Sequence, residues 1–192
     1  MAGKKIQDIP IDGVAVHELT PHHDGRGHLV EIYRASWGLG CQPVQFNAVT
    51  SEAGVLRGVH AHVRHVDHLV VAAGAMTLGL HDIRPWSSTV GVSCQIELDA
   101  SAPHAAIVPS GVAHGFCFPV PSLLVYGVSH YWDVEDEIIC RWDCPELGII
   151  WPTRNPTLSE RDTHAPDYGV FVEAFLQAWR DAYGTLPDRN TR

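Results

Sequence analysis

The sequence predicts an all-β fold, a sandwich or barrel of short antiparallel strands, closed by one C-terminal helix. Three observations carry this. Short segments that alternate apolar and polar residues recur at a spacing of roughly ten residues. Glycine and proline punctuate the gaps, drawn from 17 Gly and 13 Pro in 192 residues. A helical repeat appears only near the end, where Phe171, Phe175, Trp179 and Tyr183 recur every four positions.

Taken in order, residues 1–13 lead into a loosely alternating strand at 14–19. A turn at Asp24-Gly25 precedes a strand over 28–33. Residues 44–49 form a strand with Gln45 and Asn47 on one face. The turn Ser51-Glu52-Ala53-Gly54 opens the stretch VLRGVHAHVRHVDHLVVAAG, residues 55–74, whose apolar end is a buried strand. Residues 76–81 run back, and DIRPWSS over 82–88 is a loop. Strands follow at 90–98 and 105–108, separated by Ser101-Ala102-Pro103. After the turn Pro109-Ser110-Gly111 come strands at 114–118 and 123–131, with Pro119 and Pro121 between them. The aromatic stripe from Val170 onward lies on one face of a packing helix that stops at Gly184. The length suits one domain, 1–192.

Composition narrows the function. An apolar content of 45% against 18% charged residues describes a globular chain. The net charge of -9 argues against a nucleic-acid partner, which needs a basic face. No apolar run is long enough for a membrane span, and the N-terminus has no secretory core. Five scattered cysteines, an odd number, read as reduced thiols in a cytoplasmic protein.

The 13 histidines concentrate chemistry that works near neutrality. His60 and His62, two apart on an extended backbone, share a face. His65 and His68 read as solvent-facing neighbours. The spacing His60-x-His62-x4-Asp67-x6-Gly74 resembles the first motif of the cupin jelly-roll superfamily, and Pro109-x-Gly111-x2-His114 resembles the second. The resemblance implies a jelly roll. It also offers a metal reading, in which His60, His62, Asp67 and His114 hold one divalent ion.

A more specific resemblance covers residues 14–166, leaving the helix and tail at 167–192 outside it. Its segments are DGRGHLVEIY, VQFN, VLRGVH, DIR, VPSGVAHGF, the strand holding Tyr126, RWDCPELGIIWP and LSERDTHAP. In order and spacing they resemble the dTDP-4-dehydrorhamnose 3,5-epimerase family, a cupin-fold family that works without metal. That implies a cofactor-free isomerase acting on a nucleotide-diphosphate sugar, in a homodimer. Hydrogens beside the ketone of a 4-keto-6-deoxy sugar are weakly acidic, so inversion needs a base, an opposed proton donor and enolate stabilisation. By resemblance His60 is the base, Asp162 orients it and Tyr126 is the donor. Arg57 and His114 flank the sugar, and Arg26, Glu31, Gln45 and Asn47 hold the nucleotide. Glu137 falls in the matching stretch after Tyr131. The family has a lysine where this chain has Asp67, which reverses the local field at a substrate-binding position.

Two alternatives stand beside this reading. A metal-dependent cupin enzyme would occupy His60 with the ion and remove the free base. A sugar-binding cupin would keep the pocket without turnover, and Asp67 is the residue that favours it.

Overall fold

A computed structural model of the chain describes residues 9–188. The first eight residues of the expected leader and the last four of the tail lie outside it. Within the described residues there are twelve strands: β1 (Ala15–Glu18), β2 (Pro21–Asp24), β3 (Gly27–Val30), β4 (Gln45–Ser51), β5 (Leu56–Ala61), β6 (Asp67–Ala73), β7 (Ala75–Asp82), β8 (Ser93–Asp99), β9 (His104–Val108), β10 (Val112–Cys117), β11 (Ser122–Val128) and β12 (Ile138–Ile139). Two α-helices follow, a single turn α1 (Glu160–Thr163) and the longer α2 (Tyr168–Tyr183).

The strands form two antiparallel five-stranded sheets in the orders β1-β9-β6-β11-β4 and β12-β5-β10-β7-β8, while β2 and β3 make a separate hairpin. From β4 to β12 the chain crosses between the two sheets at every step except the β7–β8 hairpin, a jelly-roll pattern. The all-β expectation and the C-terminal helix both hold.

Alternation decides where the core sits. Leu69 and Val71 of β6, Leu78 and Leu80 of β7, Ile96 and Leu98 of β8 and Leu124 of β11 meet between the sheets around Phe118. The intervening residues of the second sheet face outward, and this face is covered too. Val59, Ala61, Ala113 and Cys117 pack under Cys140, Leu147, Trp151 and two rings of α2, Phe171 and Phe175. Trp179 packs at a tilt against Trp86, and the Tyr183 hydroxyl donates to the Val63 carbonyl at 2.9 Å. The predicted aromatic stripe is thus the face by which α2 seals the second sheet. Among the described residues no helix is long and apolar enough to cross a membrane. All five cysteines are free, four of them buried.

One irregularity positions the site. β5 and β10 pair Arg57 with Phe116 and His60 with His114, so between these pairs two residues of β5, Gly58 and Val59, oppose one of β10, Gly115. This bulge puts Arg57 and His60 on the same inner side, where strict alternation would oppose them. It rests on close approach of two glycines: a Cβ built on Gly58, with φ +120°, would lie 2.7 Å from the Gly115 Cα.

Candidate active site

At one end of the sandwich the sheets part around a cavity of about 380 Å³. Arg57 and His60 reach it from β5, Phe116 from β10, Val49 from β4, and Leu124 and Tyr126 from β11. Trp132 and Glu137 enter from the segment before β12, and Ser159, Arg161 and Asp162 from the start of α1. His60 and Tyr126 therefore come from opposed sheets, and a ring bound between them would have one group towards each face.

The Nε2 of His60 stands 2.7 Å from Asp162 Oδ1, across 102 residues of chain. Ser159 caps α1 and donates from its hydroxyl to the other oxygen of Asp162 at 2.8 Å, while accepting from the Asp162 amide at 3.1 Å. Burial works to raise the Asp162 pKa, but the hydrogen bonds from His60 and Ser159 outweigh it and hold the acid below the usual carboxylate range. An ionised carboxylate at this distance draws the imidazole proton to Nε2 and leaves the lone pair on Nδ1. The half-buried phenol of Tyr126 is pushed up, first by burial and then by the carboxylates of Glu137 and Asp67, so it stays protonated. Its strand register sets it opposite Asn47.

Two guanidinium groups supply positive charge. Arg57 donates to the Ser51 hydroxyl at 3.0 Å and the Thr50 carbonyl at 3.2 Å. Arg161 ion-pairs with Glu137, and one of its terminal nitrogens lies 3.4 Å from His60 Nε2. Glu137 also accepts from the Trp132 indole at 2.7 Å.

The structure thus gathers five of the expected residues, His60, Tyr126, Asp162, Arg57 and Glu137, around one cavity. The others stand outside its lining. Gln45 and Asn47 point inward on β4 but bond each other at 2.9 Å, and Gln45 also accepts from the Trp132 amide. Arg26 lies in the exposed β2–β3 turn, paired with Asp24 at 2.6 Å. Glu31 pairs with Arg34 in a separate concavity that shares no lining residue with the cavity. Arg26 sits in the turn of the β2–β3 hairpin and Glu31 directly after its second strand, and this hairpin joins neither sheet. Asp67 and His114 are buried and outside the lining of the cavity, but His114 pairs directly with His60 across β5 and β10 and its ring lies 5.5 Å from that of Phe116.

Two corrections concern histidines. His65 and His68 do not face solvent; each is 1% exposed. His65 lies against Asp136 and Asp67, and His68 bonds the Ile32 carbonyl at 2.8 Å. The four-residue metal set does not assemble either. His62, Asp67 and His114 bring one donor atom each within 4.8 Å of one another, but His60 is turned to Asp162. Three of the four residues fit an ion, and the fourth serves another partner.

Sequence reasoning missed Arg161, Trp132 and Phe116 as lining residues. Arg161 sits inside the LSERD segment and Phe116 inside VPSGVAHGF, so both were within reach. Trp132 follows Tyr131 at the end of a strand-like run and carries no local signal.

In sequence and fold the chain is similar to known proteins. The family model of dTDP-4-dehydrorhamnose 3,5-epimerase matches residues 8–170. The chain is 33% identical over 147 residues to the dTDP-4-dehydrorhamnose 3,5-epimerase of Neisseria gonorrhoeae, covering 72% of this chain but only 45% of that protein's length. A crystal structure of dTDP-4-dehydrorhamnose 3,5-epimerase from Bacillus anthracis with TDP and PPi bound superposes with a TM-score of 0.79 at 31% identity, covering 85% of this chain and 98% of that one. A 3′-monoepimerase from Streptomyces bikiniensis in complex with dTDP-quinovose gives 0.78 at 27% identity, with 95% and 93% covered. With its fold and a family match over most of its length, the chain belongs to the dTDP-4-dehydrorhamnose 3,5-epimerase family.

Proposed function

We propose that the protein epimerises a nucleotide-linked 4-keto-6-deoxy sugar at C3, C5 or both. The observation that carries this is the His60–Asp162 pair facing Tyr126 from the opposite sheet of one cavity. His60 Nδ1 takes the proton from the carbon beside the ketone. The C–H electron pair moves to the carbonyl oxygen and forms an enolate. Asp162 stabilises the imidazolium that results. Arg57 and Arg161 supply the positive charge that favours the oxyanion, in a chain whose lysines are confined to Lys4 and Lys5. Tyr126 returns a proton to the other face of the carbon, the enolate collapses to the ketone, and solvent then takes the proton from the His60 imidazolium and reprotonates the phenolate. These steps need no cofactor.

The nucleotide diphosphate extends out of the cavity past Gln45 and Asn47. Arg26 and Glu31 complete the site of a second copy in a homodimer, because within one chain they stay away from the pocket. Exposed Leu29 on the hairpin and Val44 and Phe46 along the edge at β4 supply apolar surface for that contact. The expected compartment is the cytoplasm.

The test is deuterium wash-in from solvent into a dTDP-linked 4-keto-6-deoxy sugar, followed by the stereochemistry of the product. The wild type should exchange and invert. His60→Asn should stop exchange, and Tyr126→Phe should stop inversion. Binding with neither exchange nor inversion would instead mark a sugar-binding protein, and full activity in both variants would reject the assigned roles.

A further inference from the structure

When Tyr126 gives up its proton it becomes a phenolate, and much of its surroundings opposes that charge. Burial comes first, then the carboxylates of Glu137 and Asp67, while Arg57 and Asn47 act the other way. Arg57 is already committed to the Ser51 hydroxyl and the Thr50 carbonyl. Asn47 has a donor to spare: its Nδ2 is buried with no hydrogen-bond partner among the described residues. A buried donor left unpaired is costly, so this one needs an acceptor.

Strand register supplies it. Asn47 and Tyr126 are direct partners across β4 and β11 and so lie on one face of the sheet. The amide already favours the phenolate through its N–H, although in the resting state the contact has not closed to a full hydrogen bond. Contacts of this kind tighten as charge develops. Tyr126 lines the cavity and Asn47 does not, so Asn47 works through the phenol and not on the sugar.

A chain of amides fixes which end of Asn47 carries the nitrogen. The backbone N–H of Trp132 donates to Gln45 Oε1 at 3.1 Å, and a backbone N–H cannot accept. Gln45 therefore turns its Nε2 to Asn47 and donates to Oδ1 at 2.9 Å. With its oxygen taken, Asn47 is left with only its amide hydrogens to offer. Turning over either side-chain amide would set like ends face to face. Three donors thus run in one direction, from Trp132 through Gln45 and Asn47, and each polarises the next.

We propose that Asn47 is a positioning residue for the proton return: its Nδ2 donates to Tyr126 Oη, aims the phenol proton at the sugar and stabilises the phenolate left behind. An oxygen that accepts from Asn47 keeps its own proton for the side that faces the cavity. As the O–H bond breaks and the new C–H bond forms, the electron pair stays on Oη, opposite the amide dipole. The family resemblance gives Asn47 to the nucleotide; the register and the amide chain give it to the proton donor. This role rests on the epimerase reading, whereas the hydrogen bond exists with or without turnover.

The test uses full-length protein and the dTDP-linked 4-keto-6-deoxy sugar, reading deuterium wash-in, inversion and dTDP affinity separately. Asn47→Leu removes the donor at nearly constant size. Inversion should fall by about 10²–10³-fold, the cost of losing one donor at a developing oxyanion, while wash-in through His60 and dTDP affinity stay within about threefold. Gln45→Leu frees the Asn47 amide to turn and should give a smaller loss of the same kind. Asn47→Asp adds a pH readout: its carboxylate repels the phenolate, but its carboxylic acid can donate again. Its ratio of inversion to wash-in should recover as pH falls from about 8 to about 5, and that of Asn47→Leu should not. If Asn47→Leu fails to fold, Asn47→Ala and Gln45→Leu carry the same comparison.

Weaker dTDP binding with undiminished inversion in Asn47→Leu would overturn the proposal and return the residue to the nucleotide. Equal losses of wash-in and inversion would overturn it in favour of a general structural role. The ¹³Cζ resonance of Tyr126, assigned with Tyr126→Phe, reads the hydrogen bond without turnover. It should move in Asn47→Leu, and an unmoved resonance in folded protein would overturn the contact. Wild-type protein that neither washes in nor inverts, while this resonance still responds, would overturn the epimerase reading and the role with it, but not the contact.

Discussion

His60 Nε2 and Asp162 Oδ1 stand 2.7 Å apart, the imidazole from near the end of β5 and the carboxylate from a single helical turn 102 residues later. The contact holds the ring in one tautomer, and the Ser159 cap holds the carboxylate. Asp162→Asn preserves size and most of the packing but reverses the tautomer preference. The expected loss in epimerisation rate is about 10⁴-fold, with the sugar still bound. Wash-in kinetics beside a binding isotherm check this; a loss of binding with an unchanged exchange rate would count against the orienting role.

The bulge that brings Arg57 and His60 to one side depends on the missing side chain at Gly58. Gly58→Ala places a methyl 2.7 Å from the Gly115 Cα in a backbone region that residues with a Cβ avoid. The expected destabilisation is about 1–3 kcal/mol, with a fall in activity from the displaced His60. Chemical denaturation is the measurement, with Gly169→Ala, whose new methyl would meet nothing within 4 Å, as the control that should not lose stability.

The helix α2 covers the outer face of the second sheet through Phe171 and Phe175, neither of which is exposed. Phe171→Ala should cost about 3–5 kcal/mol by leaving a cavity against the sheet. Urea unfolding should show an earlier midpoint with a similar slope. A change under about 1 kcal/mol would mean that α2 is not an integral part of the fold.

Acid should weaken the loop after β7 through Asp82. Burial works to raise its pKa, but hydrogen bonds from Arg84, Ser87 and Thr89 outweigh it and leave it depressed. With a folded pKa below the unfolded one, its contribution is complete above about pH 4 and is lost as pH falls through the folded value. Asp82→Asn should therefore destabilise most at pH 7 and least near pH 3, as read from denaturation midpoints. A penalty that grows on acidification would reject the depressed pKa.

The sequence was most legible where structure is local. Alternation located most strands within a few residues, because a strand's two faces are encoded at period two. The four-residue aromatic stripe located α2 and its packing face for the same kind of reason. The DGRGHLVEIY and LSERD segments pointed to the family, since they preserve chemistry as well as shape.

By itself, then, the sequence determined an all-β jelly roll with a sealing helix, and His60, Tyr126 and Asp162 as the residues to watch. Only the tertiary structure decided which histidines share an environment. Spacing put His60 beside His62, but β5 bulges at Gly58 and ends at Ala61, so one ring meets Asp162 and the other joins His65 and His114. It also decided that Arg26 and Glu31 stay on their own hairpin, and that Arg161 and Trp132 line the cavity. The reason is physical. Periodicity encodes which face a side chain takes on its own strand, whereas its neighbours depend on sheet pairing, a bulge and loop closure over a hundred residues, none of which a local pattern contains.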